Sequence, residues 1–220
     1  MDPLEGRAVV VFAGGLPPSP RAIARLARDA YVIAADSGYD HARAQGIDVD
    51  LLVGDLDSIS PSALEEAKAE GIPIELHPTA KDATDLALAL LEARDLGATQ
   101  VTVIAGDGGR LDHLLTGILA LADPDLAGVQ IDAWIGTAWV RPLHGPGHAV
   151  VHGRPGEVVT LAALAGVAKG VRTEGLTYPL RGETLFPGST RGVSNELEET
   201  EAQVWVEEGT LLIVQPEALS

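Results

Sequence analysis

Val49-Asp50-Leu51-Leu52-Val53-Gly54-Asp55-Leu56-Asp57-Ser58 reads as a short buried strand, Leu51 to Val53, that runs into a turn carrying two aspartates. In extended backbone, residues two apart project to the same side, so Asp55 and Asp57 would present their carboxylates together. Gly54 lets the chain bend where a Cβ would clash. Two fixed anions at the C-terminal end of a strand make a place for a hard cation such as Mg²⁺. Asp and Ser after a strand are also ordinary turn formers, so this stretch alone leaves both readings open.

Outward from it, strands alternate with helices. Ala8 to Phe12 is an apolar strand that ends at Ala13-Gly14-Gly15, and Ser19-Pro20 reads as an N-cap with proline opening a helix to about Arg28. Tyr31 to Ala35 is a second strand, closed by Asp36-Ser37-Gly38, and a short helix follows as far as Gly46. Pro61 opens a charged helix to Glu70, and Pro73 to Leu76 is a fourth strand. Asp82 to Leu96 is periodic, with Leu86, Leu90 and Ala93 on one face. Gln100 to Ala105 is a fifth strand, ending in Gly106-Asp107-Gly108-Gly109-Arg110, and Leu111 to Leu121 is a further helix. This alternation predicts an α/β domain with a parallel, Rossmann-like sheet over residues 1–126.

From residue 127 the pattern changes. Ile131 to Trp134, Ala138 to Leu143, Ala149 to His152, Glu157 to Ala162, Gln203 to Val206 and Leu211 to Val214 are short β-type runs between Gly and Pro turns. They predict an all-β sandwich domain over residues 127–220.

Composition narrows the function. A net charge of −17 argues against a nucleic-acid binder, which needs clustered Lys and Arg. No apolar run reaches the ~18 residues of a membrane span, and Met1-Asp2-Pro3-Leu4-Glu5 lacks the basic start of a signal peptide. The chain has no cysteine, which excludes disulfides and thiolate metal sites and fits a cytoplasmic location.

Ligands of an open parallel sheet sit beyond the strands' C-terminal ends. Asp36, Asp55 with Asp57, and Asp107 with Asp112 fall at or just after three such ends, while Asp82 and Asp85 sit three apart at a helix start. Two carboxylates about 5 Å apart repel by roughly 3 kcal/mol at an effective dielectric of about 20. A converging set therefore needs protons or a divalent cation, and Mg²⁺, held by a few carboxylates and substrate phosphates, is the economical one. Each piece has a plainer reading as well: Asp82 and Asp85 as a cap and an acidic first turn, Asp36-Ser37-Gly38 as a turn, His113 as a surface histidine. Arg110 follows a glycine-rich turn and precedes a helix, where free N–H groups and the helix dipole favour phosphate. The Walker spacing is absent.

Asp36-Ser37-Gly38, Gly54-Asp55-Leu56-Asp57-Ser58, Lys81-Asp82-Ala83-Thr84-Asp85 and Gly108-Gly109-Arg110-Leu111-Asp112-His113 resemble, in order and spacing, the motifs of thiamine pyrophosphokinases. Gly175-Leu176-Thr177-Tyr178-Pro179-Leu180, Gly192-Val193-Ser194-Asn195-Glu196 and Gly209 to Val214 resemble that family's bacterial members. Asp36-Ser37-Gly38 stands where many members carry Asp-Gly-Gly, and Lys81 where others carry Gln. The resemblance implies a homodimer with active sites at the subunit interface. It also implies Mg²⁺-dependent transfer of pyrophosphate from ATP to the hydroxyethyl group of thiamine, releasing AMP. Asp55, Asp57 and Asp85 would anchor Mg²⁺ and the ATP phosphates, and Arg110 and Asp112 would line the phosphate and acceptor side. Asp36, Ser37, Ser58, Lys81, Asp82 and Thr84 would complete the substrate site, together with Gly108, Gly109 and His113. Ser194 and Asn195 would lie near thiamine. The competing readings are a pyrophosphokinase for another hydroxymethyl heterocycle, such as a pterin, and a non-catalytic thiamine- or nucleotide-binding regulator.

Overall fold

The β-branched runs of the first half assemble into one sheet because they are apolar on both faces, as strands covered from both sides must be. In the computed structural model, which describes residue 4, residues 7–78, residue 80 and residues 82–220, contacts divide the chain into two units, residues 1–136 and 137–220. Lys81 lies outside the described residues.

The first unit holds β1 (Val9–Phe12), β2 (Tyr31–Ala35), β3 (Leu51–Gly54), β4 (Ile74–Leu76), β5 (Gln100–Ala105) and β6 (Gln130–Ile135). Their order is β4-β3-β2-β1-β5-β6, and every neighbouring pair is parallel. Phe12, Ile33, Leu52 and Ile104 are fully buried at its centre. Ile104→Ala should therefore destabilise the protein by about 3 kcal/mol, the cost of lost burial plus a cavity. The expected sign is a lower urea midpoint at an unchanged slope.

The helices are α1 (Pro20–Ile23), α2 (Gly38–Ala44), α3 (Pro61–Glu70), α4 (Asp85–Asp95) and α5 (Leu111–Ala120). Local chemistry explains their starts. Pro61 sits at the first position of α3 and the Ser60 hydroxyl accepts from the Ala63 amide at 3.2 Å. Thr84 caps α4 by accepting from the Ala87 amide at 3.3 Å.

Three expectations are corrected here. The helix expected to reach Arg28 is a single turn that ends at Ile23; Ser19 does stand at its N-cap with Pro20 opening the helix, although its side chain makes no cap bond. The helix expected from Asp82 begins at Asp85, so Asp82 precedes the Thr84 cap and does not share a helical face with Asp85. The run Ile131 to Trp134 is not part of the β-only region: it lies in β6, which pairs in parallel with β5. The first unit consequently extends to Gly136, past the boundary expected after residue 126.

In the second unit β7 (Ala138–His144), β8 (Gly147–His152), β9 (Val158–Glu174), β10 (Arg181–Leu185), β11 (Asn195–Glu196), β12 (Glu201–Val206) and β13 (Glu208–Gln215) form an antiparallel sandwich. β9 continues far beyond the Ala162 expected from sequence. Its first half pairs with β13 and its second half with β10 and β12. Ala165 (φ 59°) and Gly170 (φ 64°) carry the bend that lets one strand serve both layers.

Candidate active site

Along the chain β1 to β4 step to one side of the sheet, and β5 then joins the other edge of β1. Between β1 and β5 the order reverses, and a crevice opens beyond their C-terminal ends. A cavity of about 570 Å³ lies there. One half is polar, lined by Asp36, Ser37, Asp55, Asp57, Ser58, Thr84 and Asp85, and the other apolar, lined by Leu16, Val103, Leu114, Ile118 and Ile135 among others. Gly108, Arg110 and His113 also line it.

The carboxylates converge by turns rather than by strand alternation. β3 ends at Gly54, and Leu56 is in the left-handed region (φ 62°), so Asp55 and Asp57 are not the extended pair expected from sequence. The Asp57 amide donates to Asp55 Oδ1 at 3.3 Å, and the Ser58 hydroxyl donates to Asp57 Oδ1 at 2.8 Å. Asp36, also left-handed (φ 47°), joins them from the end of β2, where its amide donates to the Val53 carbonyl. One oxygen from each of Asp36, Asp55 and Asp57 lies within 4.8 Å of the others. Asp85, at the first position of α4, stands beside this trio instead of inside it. Its charge reaches the trio all the same, since it raises Asp36.

Asp36 is the anomalous member. It is only 6 % exposed, and its Oδ1 has no hydrogen-bond partner among the described residues. Burial pushes its carboxyl above the ordinary range, with the nearby charges of Asp85 and Asp57 adding to this and Ser58 partly offsetting it. A buried carboxylate with one oxygen lacking a donor, grouped with two further carboxylates, is a donor set that suits a hard divalent cation.

Arg110 stands at the N-cap of α5 and makes no cap bond with its side chain. Its guanidinium holds Asp112 in a two-pronged pair, Nη2 to Oδ2 at 2.6 Å and Nε to Oδ1 at 3.2 Å. That pairing brings the exposed Asp112 carboxyl down to about 2. Asp82, Gly109 and Asp112 do not line the cavity.

Ser194 and Asn195 lie in the second unit. Ser194 is exposed and left-handed (φ 56°). Asn195 is buried, with its amide committed to the Tyr178 backbone: Oδ1 accepts from the Tyr178 amide at 2.9 Å and Nδ2 donates to the Tyr178 carbonyl at 2.7 Å. A larger hollow of about 810 Å³ in this unit, around Arg172, Arg181 and Trp205, is lined by none of the expected site residues. Sequence reading did not single out Leu16, Leu114 and Ile118. The signal was the glycine turn after β1 and the second apolar face of α5.

An open parallel sheet whose acidic hollow sits at its switch point defines the class: an α/β protein that receives ligands at its strand ends. Residues 24–132 match the family model of the thiamin pyrophosphokinase catalytic domain, and residues 148–211 that of the thiamin pyrophosphokinase vitamin B1 binding domain. The chain belongs to the thiamine pyrophosphokinase family, enzymes that make thiamine diphosphate. The solved thiamine pyrophosphokinase from Bacillus subtilis is similar in fold at TM-score 0.81 and 24 % identity, covering 95 % of this chain and 98 % of that one. A thiamin pyrophosphokinase family protein from Enterococcus faecalis matches at TM-score 0.74 and 26 % identity, over 95 % and 98 % of the two chains. The thiamin pyrophosphokinase from Candida albicans matches at TM-score 0.76 and 14 % identity, over 94 % and 89 %. No curated protein matches the chain by sequence.

Proposed function

We propose that the crevice between β1 and β5 binds ATP with Mg²⁺, and that thiamine attacks the β-phosphorus there to give thiamine diphosphate and AMP. The observation that carries this is Asp36, buried with its Oδ1 lacking a hydrogen-bond partner among the described residues, and offering a carboxylate oxygen within 4.8 Å of those of Asp55 and Asp57. These three residues would hold the metal, with Asp85 next to them. Bound Mg²⁺ would supply positive charge to the polyphosphate and so lower the cost of the charge that develops during transfer.

The chain's own groups account for the rest. The first turn of α5 leaves its N–H groups without a side-chain cap, and Arg110 adds guanidinium donors, so a phosphate is favoured there. The apolar half of the cavity, with Leu16, Leu114 and Ile118, suits a purine ring and keeps water from it. Ser37, Ser58 and Thr84 offer hydroxyls along the polar half. In the transfer, a bond forms from the thiamine hydroxyl oxygen to the β-phosphorus, and the bond from that phosphorus to the α–β bridging oxygen breaks. A loose transition state of this kind asks for positioning more than for a strong base. An aspartate of the cavity wall would take the hydroxyl proton; Asp112 is outside that lining and its carboxylate is held by Arg110. A strongly acidic chain draws a cationic thiamine directly, and Mg²⁺ would reduce the repulsion between its carboxylates and the ATP phosphates.

The same reading makes the enzyme a cytoplasmic homodimer with active sites at the interface. ATP is abundant in the cytoplasm, and a chain without cysteine fits a reducing compartment. Among the described residues no helix is long and apolar enough to cross a membrane, which says nothing of strands. Support for association comes from α5, which buries no residue fully and leaves Leu111, Leu115 and Leu119 77 %, 56 % and 44 % exposed along one stripe. On a chain of net charge −17, copies meet most readily at such an uncharged face. Leu115→Asp should convert the dimer to monomer in sedimentation equilibrium. An unchanged mass would remove this face from the interface.

The deciding assay incubates the protein with ATP and thiamine, with and without Mg²⁺, and follows AMP and thiamine diphosphate. Both products should appear together and only with the metal. Product formation undiminished by a chelator would refute the metal role.

A further inference from the structure

Gly54 closes β3 immediately before the acidic turn, and its backbone is at φ +146°, where L side chains rarely sit. A Cβ built on it would lie 2.8 Å from Asp85 Oδ1, 3.2 Å from Asp85 Cγ and 3.3 Å from Asp36 Cβ. The space a side chain would fill is thus already taken by the carboxylate of Asp85. That carboxylate arrives from another element, since α4 packs against β1, β2 and β3 with its N-terminus at their C-terminal ends.

We infer that Gly54 is a positioning residue: its missing side chain is the seat that lets Asp85 close onto the group formed by Asp36, Asp55 and Asp57. The inference rests on reading that group as the metal site. Any side chain at position 54 meets first the tip of Asp85, and a carboxylate tip can rotate away while the β-sheet stays in place. The contact to Asp36 Cβ is looser and asks for a shift of a few tenths of an ångström. Filling the seat therefore displaces a charge, on top of the backbone strain that any side chain meets at φ +146°. Asp85 is the member whose approach is set by helix packing, so it is the one that Gly54 governs.

The test titrates the metal-free protein with Mn²⁺ and reads free ion by electron paramagnetic resonance, without substrates or turnover. Wild type should bind, and Gly54→Ala should bind about 10- to 100-fold more weakly, the size of effect seen when a metal ligand loses its support. Backbone strain at φ +146° is separated from carboxylate displacement by a double-mutant cycle. In an Asp85→Ala background, Gly54→Ala should change Mn²⁺ affinity little further. An equal loss in both backgrounds means that strain acts alone, and it overturns the inference. Asp85→Glu overfills the same contact while leaving residue 54 untouched, so it covers the case in which Gly54→Ala does not fold. It should weaken Mn²⁺ binding too, and unchanged binding would overturn the role of the seat. Failure of wild type to bind Mn²⁺ at all would instead sink the metal reading itself.

Discussion

Asp57→Asn should abolish thiamine diphosphate formation, by a factor on the order of 10²–10³, while leaving the protein folded. The side chain is exposed on the turn after β3 and its recorded partner is the hydroxyl of its neighbour Ser58. Asparagine keeps the size of the side chain and one oxygen to accept that hydroxyl. What it removes is one charge from a trio whose oxygens lie within 4.8 Å of one another. A structural role for Asp57 predicts a stability loss and an intact rate, whereas a role in binding cation and polyphosphate predicts the reverse. Circular dichroism with product chromatography separates the two. A variant with wild-type turnover would end the assignment of this carboxylate to the chemistry.

Why the acidic turn was legible from sequence, and its geometry was not, comes down to which interactions are local. β2, α3 and β5 fall where the sequence places them, because their ends are written in adjacent residues: a β-branched run in β5, Ser60-Pro61 before α3 and Gly71 after it. Asp36, Asp55 and Asp57 could be seen to fall at strand ends for the same reason. Their convergence depends on left-handed backbone at Asp36 and Leu56, a conformation that aspartate visits only occasionally and for which leucine carries no sequence signal. Extended alternation would have brought Asp55 and Asp57 together without help from Leu56. The observed turn does it through Leu56 and admits Asp36 as the third member. Asp82 shows the opposite failure, since a cap at Thr84 outcompetes the earlier aspartate as the helix start. Strand partnership was the least legible feature. The run in β6 looks like any short β segment, and only its parallel pairing with β5 assigns it to the first unit. Likewise β9 is cut by glycines in sequence, yet in space it is continuous across its bend.

Asp36→Asn should raise the thermal stability of the metal-free protein and, in the same molecule, remove its activity. The buried carboxyl is held above the ordinary range by burial and by the charges of Asp85 and Asp57. The folded state therefore binds the proton more tightly than the unfolded chain does, and stability falls where the folded protein carries the extra proton. Its contribution is fully present below the unfolded value of 3.8 and is lost as pH rises through the raised folded value. Asp112 has the opposite sign, being lowered to about 2, so its contribution is lost only as pH falls below 3.8 toward 2. It is fully exposed, so its share is small. Melting curves of metal-free wild type should thus fall with rising pH just above 3.8, and Asp36→Asn should flatten that fall. For a chain of this size each kcal/mol relieved raises the melting temperature by roughly 2–4 °C. Saturating Mg²⁺ should stabilise wild type, by about 2.7 kcal/mol at 100 times its dissociation constant, and should leave the asparagine variant almost unmoved. The buried charge is then a cost that the apo fold carries for the sake of its ligand, the pattern expected where an active site holds like charges together. If Asp36→Asn lowers the melting temperature without metal, the carboxylate is satisfied inside the fold and has no need of a cation.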